Sequence, residues 1–209
     1  MYNKFRYVFL EHLKKNIAKY FFSILVLLVG IVIGAMAMKF LPELQRNELA
    51  GYLNLYLSSL SDTSKINDSM ILGDVIIKNT KTILAIWILG FTIIGLPFVL
   101  GIVCLKGIVI GFTVGFLVNE YIYKGIFLAL AVVLPHNLLS IPMILIMSIA
   151  AINFSLNLIK RRQYKKDNLA YSSILYSIIC FILCIGIILS SLLEVYVSPV
   201  FMRWIVNLF

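Results

Sequence analysis

The chain has 209 residues, 62% of them hydrophobic, with mean hydropathy +1.02 and a formal net charge of +9. Ordinary globular domains are about 45–50% apolar, so the composition excludes a water-soluble core and indicates one polytopic membrane domain, residues 1–209. Apolar runs of about 20 residues without polar alternation specify an all-α integral membrane bundle rather than a barrel.

Residues 1–19 carry Lys4, Arg6, Lys14, Lys15 and Lys19 and form a basic leader. It either lies on an anionic leaflet, at about 1 kcal/mol per basic residue, or simply holds the N-terminus inside. Residues 20–40 are the first span. Ala35-Met36-Ala37 mimics a signal-peptidase site, but apolar character runs on through Phe40, so the segment reads as a retained signal anchor. Residues 41–82 are the longest polar stretch and form the extracytoplasmic loop. Within it Leu49, Tyr52, Leu53, Tyr56, Leu57 and Leu60 recur at helical spacing, opposite Arg46, Glu48 and Asn54. That face either rests on the membrane or bundle, or docks an extracytoplasmic partner.

Residues 87–120 hold six of the twelve glycines: Gly90, Gly95, Gly101, Gly107, Gly111 and Gly115. Lys106-Gly107 divides the apolar stretch and predicts a turn at a membrane face, with helical arms over 83–104 and 107–119. Gly107, Gly111 and Gly115 share one helical face, where missing side chains let a second backbone approach. Pro97 is expected to kink the first arm, because it has no N–H to give.

Residues 125–159 are too long for one straight span and too short for two with a loop. Pro135, His136, Asn137, Ser140 and Pro142 lie in the middle and predict a broken or re-entrant helix. Such backbone persists at membrane depth only under protein cover or beside a wet cavity. Residues 160–168 form a second basic cluster, 171–193 a fifth span, and 194–209 an extracytoplasmic tail. In the tail Phe201, Trp204, Ile205 and Leu208 follow the spacing of an interfacial helix.

The basic excess is confined to the leader, Lys106 and the 160–168 loop; elsewhere seven basic residues meet seven acidic ones. This is a positive-inside pattern, not a nucleic-acid footprint. Keeping both clusters in the cytoplasm demands an even number of crossings between them. About five spans result, with the N-terminus cytoplasmic and the C-terminus extracytoplasmic.

No H-E-x-x-H, G-x-S-x-G, phosphate loop or paired intramembrane carboxylate is present. No catalytic residue, cofactor or metal site is therefore expected. Cys104, Cys180 and Cys184 read as small buried apolar residues. His12 faces solvent in the leader, and His136 caps carbonyls freed near Pro142. No charged side chain is expected well inside a span, which argues against an ion-coupled pump.

Trp87-Ile-Leu-Gly90, Ile94-Gly-Leu-Pro97, Leu105-Lys-Gly107 through Gly111, Gly115 and Asn119, Leu134-Pro135-His136-Asn137, Ile141-Pro142 and Tyr196-Val-Ser-Pro199-Val closely resemble the stage II sporulation protein M family of endospore-forming bacteria. The resemblance covers nearly the whole chain; His136 departs from it, standing at a variable position of a Leu-Pro-x-Asn motif. It implies a non-enzymatic scaffold of the engulfment machinery, in the septum and then the mother-cell membrane around the forespore. Its implied partners are the peptidoglycan-degrading stage II sporulation proteins D and P, which it recruits and positions. The alternative is a small channel or transporter subunit with a path along Pro135–Pro142.

Overall fold

A computed structural model describes residues 2–61, 68–163 and 169–208. Six α-helices make up its architecture: α1 Tyr2–Ala37, α2 Glu43–Ser61, α3 Asp68–Gly90, α4 Gly95–Gln163, α5 Leu169–Leu192 and α6 Ser198–Leu208. A 3₁₀ turn, Met38–Phe40, ends α1, and a π-helical turn, Leu193–Val197, joins α5 to α6. Among the described residues three stretches are long and apolar enough to cross a membrane: Lys14–Phe40, Gly95–Ile159 and Ala170–Met202.

Helix α1 contains the basic leader. Asn16 leaves helical geometry at φ −117°, ψ 15° and separates the leader from the apolar part. Beyond it only a narrow seam is buried: Ser23, Leu27, Gly30, Gly34 and Met38. Phe21, Phe22, Leu28, Val32 and Met36 stand outward, the pattern of a peripheral helix with lipid on its remaining faces.

The seam lies parallel to the first arm of α4. A Cβ on Gly111 would strike the Ile31 carbonyl, one on Gly107 the Leu27 carbonyl, and one on Gly115 would come within 3.2 Å of Ala35 Cα. On the α1 side, a Cβ on Gly30 would meet the Cys104 carbonyl, and one on Gly34 the Ile108 carbonyl. Two backbones are thus in van der Waals contact, which only paired small residues permit.

The turn expected at Lys106-Gly107 is absent, because α4 runs through both residues. The chain reverses instead at Phe91–Ile94, inside the stretch expected to be one arm. Phe91 N–H donates to the Ile88 carbonyl (3.1 Å), Thr92 N–H to Leu89 (3.0 Å) and Gly95 N–H to Thr92 (3.2 Å). Thr92 Oγ1 adds a bond to the Leu89 carbonyl at 2.8 Å. A Cβ on Gly95 would collide with that same carbonyl, so the turn requires glycine there. Pro97 does not kink an arm; it falls in the first turn of α4, where a missing N–H costs nothing.

The break expected at Pro135–Pro142 is also absent. Both prolines lie inside continuous helix, and α4 instead folds back at Ile122, φ 48° and ψ −115°. Residues 95–121 and 123–163 are therefore two antiparallel arms, closed so tightly that a Cβ on Gly125 would meet the Leu117 carbonyl. Around the prolines the neighbouring groups are hydroxyl- and amide-rich. Ser190 Oγ donates to the His136 carbonyl (2.8 Å), Asn137 Nδ2 to the Val133 carbonyl (2.9 Å), and Ser140 Oγ to Asn137 Oδ1 (3.2 Å). A proline forfeits one backbone bond, whereas unwinding in lipid would strand several, so the helix persists.

The lower part of the 123–163 arm is the central post. Met147, Ile149 and Ala151 are fully enclosed, with Ile83 and Ile86 of α3, Val99 and Val103 of α4 and Ile187 of α5 also buried. Aromatic rings close this core at the end where Lys19 bonds Asn153. Phe154 and Tyr176 stack at 4.8 Å, and Phe91 packs edge-on against both and against Trp87. Tyr176 O–H reaches the Ile86 and Trp87 carbonyls, and Trp87 Nε1–H donates to Ser177 Oγ at 3.3 Å. A Cβ on Gly90 would hit the Tyr176 hydroxyl.

Candidate functional site

Two features stand apart from this packing. One is α2, mounted on the tip of the α4 hairpin. Arg46 Nε pairs with Glu120 Oε2 at 3.4 Å, and Tyr121 O–H donates to Asn54 Oδ1 at 2.6 Å. Ala50 and Leu53 face the hairpin, packing with Met38, Phe112, Phe116, Leu117 and Leu128. The outward side carries Leu44 and Tyr52, 74% and 72% exposed, with Leu49 at the edge. The candidate docking residues therefore do not form one free face: Leu53 is structural and Tyr52 is displayed. The side chains of Tyr56, Leu57 and Leu60 lie outside the described residues.

The other is a cavity of about 400 Å³ between α3, the two arms of α4 and the π-helical turn. Lys78, Asn79 and Thr82 come from α3, Lys106 and Thr113 from the first arm, His136 and Asn137 from the second, and Glu194 from the turn. Lys106 lies eleven residues beyond Gly95 and fifteen before Tyr121, so about 16 Å and 22 Å from the two ends of its arm. It is also level with Leu27 and Gly30 of α1 through its neighbour Gly107. A lysine near the middle of a span costs about 2.5–3.5 kcal/mol on insertion scales and by default marks a functional position.

Lys106 faces Glu194 and Lys78, yet among the described residues no hydrogen bond or ion pair reaches its ammonium. Glu194 is engaged elsewhere: Asn79 Nδ2 donates to its Oε2 at 3.0 Å and to Ser191 Oγ at 3.1 Å. His136 Nδ1 is buried without a hydrogen bond of good geometry. The hydroxyls of Thr82 and Thr113 are spent on the Lys78 and Val109 carbonyls. Towards the Lys19 end the polar lining stops, and the enclosed side chains Ile86, Val99, Val103 and Met147 fill the bundle.

Sequence reading set this site aside. A turn at Lys106 would put its charge at a membrane face, and Lys78, Asn79 and Glu194 fall in the expected loop and tail, whereas the helices bring all four to one cavity. A single lysine inside an otherwise uncharged apolar run was the signal available. Of the residues expected to form a broken segment, the cavity recruits His136 and Asn137. Pro142 lies instead on a neighbouring apolar groove, and Ser140 is fully buried. Gly107, Gly111 and Gly115 line the α1 seam. The cysteines are free.

The geometry defines a polytopic helical membrane protein with a glycine-sealed bundle and a helix mounted on one end. A family model for stage II sporulation protein M matches residues 23–199. The chain belongs to that family, and is a sporulation-related membrane protein. The matched region runs from the α1 seam through both arms of α4 to the start of α6. No curated protein and no solved structure matches the chain.

Proposed function

We propose that the protein is a non-enzymatic scaffold of the engulfment machinery, recruiting and positioning peptidoglycan hydrolases in the mother-cell membrane around the forespore. The resemblance names stage II sporulation proteins D and P as those partners. In this reading the N-terminus and the 160–168 loop are cytoplasmic, and α2 and α6 face the wall. The observation that carries it is the mounting of α2: Leu53 and Arg46 fix the helix to the hairpin, while Leu44 and Tyr52 remain displayed. Exposed aromatic and aliphatic anchors on a rigid element are what a partner needs.

Tyr52→Asp and Leu44→Asp are expected to abolish co-purification with the two hydrolases while membrane accumulation and thermal stability stay unchanged. Leu53→Asp should differ, lowering accumulation itself, because that side chain packs on the hairpin. Full hydrolase recovery with Tyr52→Asp and Leu44→Asp combined would remove α2 as the docking surface. The channel alternative draws no support from Pro135–Pro142, since that segment is helix and the bundle beneath the cavity is packed.

A further inference from the structure

We propose that the cavity between α3 and α4 binds the phosphate group of an acidic membrane lipid, which enters sideways from the bilayer. Three observations converge. The first is charge. Lys78 and Lys106 line the cavity with Glu194, the one acidic group there among the described residues, so the formal charges of these three side chains sum to +1. Glu194, the anion that faces Lys106, already accepts from Asn79, and among the described residues no close ion pair forms between it and the Lys106 ammonium. Burying a cation without a close, hydrogen-bonded partner is costly, and a phosphate oxygen offsets that cost with a charge-assisted hydrogen bond.

The second is the shape of the entrance. Leu105 and Val109 flank Lys106 on its own arm and are 61% and 57% exposed. They project where lipid chains run, so the lip of the cavity is apolar while its interior is cationic. A soluble anion has no use for such a lip; an amphiphile uses both parts. The third is size. About 400 Å³ lies within the roughly 300–1,000 Å³ of small-ligand pockets. The Glu194 carboxylate lines the same cavity, and would accept from a headgroup hydroxyl rather than meet the phosphate itself.

The test uses the full chain purified in neutral detergent, with native mass spectrometry and thermal denaturation as readouts. Phosphatidylglycerol should bind as one retained molecule and raise the denaturation midpoint. Phosphatidylcholine and inorganic phosphate should do neither. Lys106→Met should weaken phosphatidylglycerol binding by about tenfold or more, the worth of one charge-assisted contact. It should not impair the fold, because it removes a mid-span charge. Lys106→Arg should retain binding, and Lys81→Met, outside the cavity, should leave it unchanged. Equal phosphatidylglycerol retention by the Lys78→Met, Lys106→Met double variant would overturn the site. Equal stabilisation by phosphatidylcholine would overturn the charge argument, and stabilisation by inorganic phosphate alone would overturn lateral lipid entry.

Discussion

Gly111 shows how much one missing carbon can hold. Its Cα faces the Ile31 carbonyl so closely that any side chain must displace α1 as a whole. Gly111→Leu should therefore lower the denaturation midpoint in detergent and reduce membrane accumulation, at a cost of at least the roughly 1–3 kcal/mol of ordinary overpacking. Gly101 is the matched control: it lies ten residues earlier in the same arm, and a Cβ there meets nothing within 4 Å. Gly101→Leu should leave both measurements nearly unchanged. Equal behaviour of the two variants would mean that the α1 seam does not hold the bundle. The spacing of Gly107, Gly111 and Gly115 was plain in the sequence. The identity of the helix they receive was not, because Gly30 and Gly34 sit in a run whose apolar character gives no hint of facing.

At the scale of elements, the α4 hairpin turns on a strained residue. Ile122 is β-branched and holds φ at 48°, a region where such side chains are rare and cost about 1–3 kcal/mol. It is also 66% exposed, so little packing is lost on removing its side chain. Ile122→Gly should accordingly raise resistance to unfolding, by about 1 kcal/mol or more after the entropy of a free glycine is set against the strain. Denaturation in a mixed detergent series measures this, and a lower stability would show that the Ile122 side chain itself closes the hairpin. Turn chemistry explains why both reversals escaped sequence reading. Phe-Thr-Ile-Ile and Tyr-Ile-Tyr contain no Pro, Asn or Asp, and an apolar turn at a membrane face has the composition of the helix it interrupts. Lys106-Gly107 and Pro135–Pro142 carry the usual punctuation but are overridden, one by the α1 seam and the other by bonds from Ser190, Asn137 and Ser140.

For the whole molecule, misplaced turns leave the topology argument standing. Moving the reversal from Lys106 to Phe91–Ile94, and the next to Ile122, shifts the arms along the chain without changing how often it doubles back. The positive-inside rule therefore makes the same prediction for this fold. Reporters fused after Leu60 and after Phe209 should read extracytoplasmic, and one at Gln163 cytoplasmic. A cytoplasmic C-terminus would break the parity. A count of five crossings requires α3 to cross as well, although with Lys78, Asn79 and Lys81 it is not among the three stretches long and apolar enough to do so on composition. It is sheltered because Ile83 and Ile86 are packed in the core and Asn79 is bonded across to Ser191 and Glu194.

The sequence by itself determined what adds up residue by residue: an all-α membrane protein, a basic end, a helix following the first span, and its sporulation family. Hydropathy and charge are properties of single side chains, so their totals are readable before any contact is known. Only the tertiary structure decided where the chain reverses, which glycines meet, and that Lys106, His136 and Glu194 enclose one cavity. Those outcomes depend on which backbone group or side chain lies opposite, and in a run of apolar residues the partner is invisible until the helices pack.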